Sequence, residues 1–143
     1  MLKKWMGIFA VAGLLSGCAQ FGPSATEREA VRIEGTPGAA VIYLVRTNPD
    51  VSYLTAPIVV NDRMAGATHA GTYMRLEVPA GRATISGYAS DNGAISLDVQ
   101  AGRVYFVQHT VSGSWRVTNP HSFFRVIDEA RARGALVGAS RVG

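Results

Sequence analysis

A single cysteine, Cys18, stands among 143 residues, so no disulfide can be closed within the chain. Lysine is nearly as scarce: Lys3 and Lys4 are the only two, and all other cationic charge lies on twelve arginines. Other absences are of pattern. His69, His109 and His121 have neither helical i, i+4 spacing nor any other metal-ligand spacing. There is no Gly-x-Ser-x-Gly elbow and no glycine-rich phosphate cradle. The apolar core that begins at Trp5 is shorter than the ~20 residues a membrane-crossing helix requires. These gaps count against a disulfide scaffold, a zinc site and the familiar serine-hydrolase elbow, and make a permanent transmembrane helix the weaker reading beside a cleaved signal.

What is present begins with a basic start, Met1-Leu2-Lys3-Lys4, followed by the uncharged run Trp5 to Leu15 and then Leu15-Ser16-Gly17-Cys18. This is the layout of a secretory signal. Its last four residues resemble the lipobox of bacterial lipoprotein precursors, in which a leucine and two small residues precede the cysteine that is lipidated before cleavage. The resemblance implies that residues 1–17 are removed, that Cys18 becomes the first residue and that it carries several acyl chains, enough for stable membrane attachment. Ala19 stands where the family's inner-membrane retention signal would place aspartate. The expected location is therefore the outer membrane, facing the periplasm.

Without residues 1–17 both lysines are gone, and twelve arginines face ten acids, a formal net charge of +2. The whole-chain pI of about 9.6 overstates how basic the remainder is, and no nucleic-acid partner is expected. Residues 18–38 are small and polar, with two prolines, and read as the lipidated cysteine and a flexible tether of at most about 65–70 Å. About a hundred residues remain, enough for one unaided core and not for two.

The ordered part, 39–143, reads as mainly β. Ala39–Arg46 is an uninterrupted apolar run of strand length, expected to be buried on both faces. Pro57–Val60 and Met64–Ala67 flank Asn61-Asp62-Arg63, a hairpin turn by its chemistry. Thr72–Val78 alternates polar and apolar, Arg82–Ala89 and Ala94–Gln100 flank Asp91-Asn92-Gly93, and Arg103–Ser112 is a long Val/Tyr/Phe-rich strand. Six to eight strands at these intervals predict a single antiparallel β-sandwich or small barrel. Leu76-Glu77-Val78-Pro79-Ala80-Gly81-Arg82 nearly repeats as Leu97-Asp98-Val99-Gln100-Ala101-Gly102-Arg103. The repeat reads as two hairpins with one turn solution, leucine and valine inward and the acid outward. At the end, Ser122 is a candidate N-cap for one C-terminal helix with Phe123, Val126, Ile127 and Ala130 at helical spacing, stopped by Gly134. Leu136 to Gly143 reads as a short edge strand or loose chain.

From Val41 to that helix, the chain resembles the bacterial lipoprotein family known as domain of unknown function 2846. The likeness is carried by Val41-Ile42-Tyr43-Leu44-Val45-Arg46, Pro57-Ile58-Val59-Val60-Asn61-Asp62, Gly71-Thr72-Tyr73, Val78-Pro79-Ala80-Gly81 and Ala101-Gly102-Arg103-Val104-Tyr105-Phe106-Val107. The central part is also similar to PEGA-type β-domains. These are turn and core residues, so the resemblance implies an envelope lipoprotein with a sandwich-like domain and supplies no catalytic residues. No catalytic site, metal or cofactor is expected. Glu77 and Asp98 would form a glycosidase-like pair only if the fold set them across one cleft. The candidate interaction surface is Tyr73, Arg75, Trp115 and Arg116, residue types that anchor protein interfaces. The expected role is a non-catalytic binding or structural module of the envelope, held to the membrane by lipid on Cys18 and meeting another envelope protein or assembly. Binding of peptidoglycan or lipid, or an envelope hydrolase, are the alternatives.

Overall fold

Ala40–Arg46 (β1) is buried along its whole length, and the rest of the domain is arranged to cover its two faces. In a computed structural model of the chain, the residues described are 31–88, 93–114, 116 and 118–143. Eight further strands follow β1: Ala56–Val60 (β2), Arg63–Thr68 (β3), Thr72–Val78 (β4), Gly81–Ser86 (β5), Ala94–Val99 (β6), Val104–Ser114 (β7), Thr118–Val126 (β8) and Ser140–Arg141 (β9). One helix, Glu129–Leu136 (α1), lies between β8 and β9. The strands form two sheets, ordered β8-β7-β1-β4-β9 and β3-β2-β5-β6. The pair is an open sandwich. Most pairings are antiparallel, but β1 runs parallel to β7, because the chain leaves the first sheet after β4 and re-enters it from the same end, and β4 runs parallel to β9, because α1 carries the chain back to the opposite end after β8.

Alternation along β1 creates two cores. Ala40, Ile42 and Leu44 face the second sheet and pack with Ile58, Met74, Leu76, Ile85 and Val107. Val41, Tyr43 and Val45 face outward and would meet water, but Tyr73, Phe106, Ile127, Ala132 and Leu136 pack over them. Only a strand apolar at every position can serve both. Val31 and Ile33 press on the same outer cluster, so residues 31–38, read from the sequence as the end of the tether, lie against the domain.

At the β2–β3 turn, Asn61 and Asp62 both have positive φ, 48° and 63°, the pairing a two-residue type I′ hairpin demands. Asn61 also locks the hairpin to β5, because its Oδ1 accepts the Thr84 amide at 2.9 Å. The near-repeat has a different meaning from the one its sequence suggests. Leu76, Val78 and Val99 are in the core, Leu97 packs on it, and Glu77 and Asp98 are exposed. The strands it joins, however, belong to different sheets: β4 to β5 crosses one way and β6 to β7 crosses back. Pro79-Ala80-Gly81 and Ala101-Gly102 are thus sheet-to-sheet crossings, not hairpins.

The helix is displaced from its expected place. Residues 118–126 form β8, paired with β7 from Val107↔Val126 to Ser114↔Thr118. In that register Ser122 and Phe124 turn inward while Phe123 and Arg125 turn outward, an alternation the helical spacing concealed. Tertiary pairing overrides the local pattern. Asp128, not Ser122, is the N-cap, accepting the Arg131 amide at 2.8 Å. Gly134 lies inside the helix, which continues to Leu136 so that Ala132 and Leu136, one turn apart, are both buried. Gly138, with φ 76°, turns the chain into β9.

Candidate functional site

The most constrained cluster of polar side chains lies where β1 ends. Arg46 follows six apolar residues and is fully buried, so each of its donors must find a partner. Nε meets Asp50 Oδ2 at 2.5 Å, Nη1 donates to the carbonyls of Leu54 (2.6 Å) and Thr68 (3.1 Å), and Nη2 donates to Ser52 O (2.5 Å). Asp50 Oδ2 also accepts the Val111 amide at 3.2 Å. One guanidinium therefore ties the loop after β1 to β3 and, through Asp50, to β7.

Beside it lies His109 of β7, also fully buried. Its Nδ1 is 3.0 Å from Thr68 Oγ1, its Nε2 is 2.9 Å from Ser122 Oγ, and its ring stacks on Phe124 at 4.6 Å. Ser122 Oγ further accepts the Tyr88 amide at 2.9 Å, and Ser122 N donates to Tyr88 O. The approach is close: a Cβ on Gly87 would collide with Ser122 Oγ. Burial, and then the positive charge of Arg46, push His109 down to about 3, so its imidazole is neutral near pH 7.

A serine hydroxyl on an imidazole is the core of a nucleophile–base pair. Here its third partner is a threonine hydroxyl instead of a carboxylate, and the charge that bears on the ring is the cation of Arg46. Taking the Ser122 proton would leave an imidazolium beside Arg46 in a buried site. Ser122 is 1% exposed and His109 0%, so a substrate carbonyl has no approach to either. The arrangement staples β3, β7, β8 and the Gly87-Tyr88 segment together.

A second network fastens the chain that enters the domain. Tyr43 Oη donates to Arg32 O and accepts from the Glu34 amide. Arg75 donates to Glu77, to Glu34 O at 3.2 Å and to Thr36 Oγ1 at 2.8 Å, and Thr36 in turn donates to Glu77 at 2.7 Å. The bond from Arg75, then that from Thr36, holds the Glu77 carboxyl below the usual carboxylate range.

Of the residues singled out from sequence, Tyr73 and Arg75 lie two apart on the outer face of β4. Cys18 and Trp115 lie outside the described residues. Tyr73 is 9% exposed and packs in the outer cluster with Ala132 and Leu136. Arg75, two residues along β4, belongs to the network just described, while Arg116 is exposed between β7 and β8. Glu77 and Asp98 project from outer faces of different sheets, and each has an arginine, Arg75 for Glu77 and Arg82 at 3.7 Å for Asp98. Among the described residues no three or more His, Cys, Asp or Glu side chains gather where a metal could sit. Sequence reasoning passed over Arg46 and Asp50. The available signal was a cation closing a wholly apolar run, followed within four residues by an acid.

A cleft of about 490 Å³ opens at the opposite end of β1, between the β2–β3 hairpin and β4. Val60, Ala65, Leu76 and Val78 form its apolar wall, and Asn61, Arg63 and Glu77 its polar rim. Arg63 is exposed, and its guanidinium makes no ion pair among the described residues.

No curated protein and no solved structure matches the chain. The family model described as protein of unknown function (DUF2846) matches residues 36–121, from the Thr36 clasp through β1 and the Arg46 cluster into β8. The matched stretch spans more than half of the sequence and contains Arg46, Asp50, Thr68 and His109, and on this match the chain belongs to the DUF2846 family.

Proposed function

We propose that this protein is a lipoprotein of the bacterial outer membrane, anchored through acylated Cys18 and facing the periplasm, whose sandwich is a non-catalytic binding or structural module of the envelope. The observation that carries the reading is Leu15-Ser16-Gly17-Cys18 set directly behind Lys3-Lys4 and an uncharged apolar run. Two features of the domain support it. Four of its polar side chains, Arg46, Asp50, His109 and Ser122, are buried and hydrogen-bonded within the fold. The clasp of residues 32–36 by Tyr43 and Arg75 fixes where the tether meets the domain. The thirteen residue steps from Cys18 to Val31 reach at most about 45 Å when extended. That tether is shorter than one running to residue 38, and it keeps the module within reach of the membrane and of proteins near it.

The test is mass spectrometry of the N-terminal peptide after in-cell crosslinking and gentle detergent extraction. The expected result is Cys18 as the first residue, carrying acyl chains, in company with a reproducible envelope partner. Cys18→Ser should leave the signal uncleaved and the peptide unacylated. An unmodified Cys18 in the native protein would remove the anchor and with it this reading.

A further inference from the structure

We infer that the end of the sandwich where β1 finishes rests on the lipid surface that holds the chain, with Val51, Tyr53 and Val137 entering the headgroup region and Arg116 beside the phosphates. The inference rests on the anchored reading above and adds which end of the domain meets the membrane, and through which side chains.

The first observation is a direction. Thr36 bonds Glu77, which pairs with Val41, and Gly35 lies against Val104, which also pairs with Val41. Glu34 and Arg32 bond the Tyr43 hydroxyl, and Ile33 and Val31 pack in the cluster that holds Val45 and Leu136. Followed backward from Thr36, the clasped chain climbs from the start of β1 toward Arg46, and the residues that lead to Cys18 join it on that side.

The second is what that end exposes. Arg46 pairs with Thr72, and Thr72 with Ser140, so residues 47–55, the β3–β4 turn at 69–71, the connection from β7 to β8 and residues 137–139 lie there together. Val51, Tyr53 and Val137 are 75%, 74% and 72% exposed, and Val137 shares a hollow with Thr47 and Asn48. Single exposed apolar side chains are ordinary, but large ones gathered at one end mark a contact surface. Two of them are held out by the fold. Arg46 binds the carbonyls of Ser52 and Leu54 from within, and Ser52 is buried, so the alternate residues Val51 and Tyr53 point away. A loop pinned in that shape loses little freedom on docking.

The third is charge. Among the described residues of these segments the one acid is Asp50, whose side chain is 2% exposed and paired with Arg46, whereas Arg116 is exposed. Apolar tips, an amphipathic tyrosine and an arginine without an open carboxylate fit an anionic lipid surface, where apolar burial and attraction to phosphate add. Three such side chains would hold a free domain only weakly. A short tether supplies a local concentration on the order of millimolar, so a weak contact suffices to orient a tethered one.

The test uses the full acylated chain in vesicles of phosphatidylethanolamine and phosphatidylglycerol. Cys18 is the chain's only cysteine and is taken up by the anchor, so Val51→Cys, Val137→Cys and, at the far end, Asp98→Cys each accept one nitroxide. Collisions of the label with a water-soluble nickel chelate should be several-fold rarer at 51 and 137 than at 98. Val51→Asp with Tyr53→Asp, both surface changes, should return position 137 to the level of position 98, and no return would overturn the inference. Equal collision rates at all three positions, on chain that stays with the vesicles, would overturn it and leave the anchor standing. Shielding at 98 alone would overturn it by placing the opposite end on the lipid. Shielding of 51 and 137 in isolated envelopes but not on vesicles would assign this end to a protein and overturn it too. An unmodified Cys18 on a chain that leaves the vesicles would sink the anchored reading and the inference together.

Discussion

Arg46 gives its donors to Asp50 and to the carbonyls of Ser52, Leu54 and Thr68, whereas the guanidinium of Arg63, at the far end of the same sandwich, meets no described acid. The first is wholly buried and the second exposed. The same side chain thus does two kinds of work. Where every guanidinium nitrogen has an internal acceptor, an arginine sets the shape of a loop and is closed to partners. Where none is matched, it is available to whatever arrives. Composition alone cannot separate the two, because both arginines adjoin an apolar strand.

That contrast can be broken most severely at Arg46. Arg46→Met should leave the Asp50 carboxylate and three carbonyls without their donor, at a cost of about 3–5 kcal/mol. Urea denaturation of the variant should show most of the domain's stability gone, and a loss below about 1 kcal/mol would mean that water replaces the guanidinium. Next comes acid. The folded-state pKa of His109, about 3, lies below its ordinary 6.5, so the unfolded chain takes up a proton that the folded chain refuses. The associated stability is complete above pH 6.5 and is lost as pH falls toward 3. The slope is about 1.4 kcal/mol per unit, reaching on the order of 4 kcal/mol. Melting curves of the wild type should fall steeply between pH 6 and 4, while those of His109→Gln should be flatter.

A smaller effect sharpens the picture of the staple. Gly87→Ala would put a methyl group against Ser122 Oγ and should cost about 1–3 kcal/mol as β8 and the Gly87-Tyr88 segment are forced apart. Thermal denaturation should show it, and Ser122→Gly in the same chain should relieve the clash. At the other extreme, Arg63→Ser should change stability by no more than about 0.5 kcal/mol. A larger loss would show that Arg63 has a structural partner after all and would erase the contrast with Arg46.

Much of the architecture was legible in advance, for reasons particular to each segment. β1 announced itself because every residue from Ala40 to Val45 is apolar, a pattern only a doubly covered strand can use. Asn61-Asp62 marked its hairpin because these residue types tolerate positive φ. Acids placed between Leu and Val in β4 and β6 gave the inward and outward faces. The helix was misplaced because Phe123, Val126, Ile127 and Ala130 satisfy helical spacing, while the stronger determinant, pairing with β7, is non-local. The crossings after Val78 and Val99 looked like hairpins because a short turn carries no record of which sheet receives the next strand. The Arg46–Asp50 pair was missed because its signal, a cation closing an apolar run with an acid four residues on, reads the same whether the pair is buried or exposed.

The clasp on residues 31–38 also has a mechanical side. A pull on the chain from its amino-terminal side meets the bonds from the Tyr43 hydroxyl and the Arg75 guanidinium to Arg32, Glu34 and Thr36 before it meets the β1 ladder. Those few bonds are loaded one after another, so they yield at a lower force than two strands sheared in parallel. Their release pays out eight residues, about 25 Å of extra length, with β1 still seated between its two neighbours. The domain would ride out a modest stretch by lengthening its leash instead of losing its core.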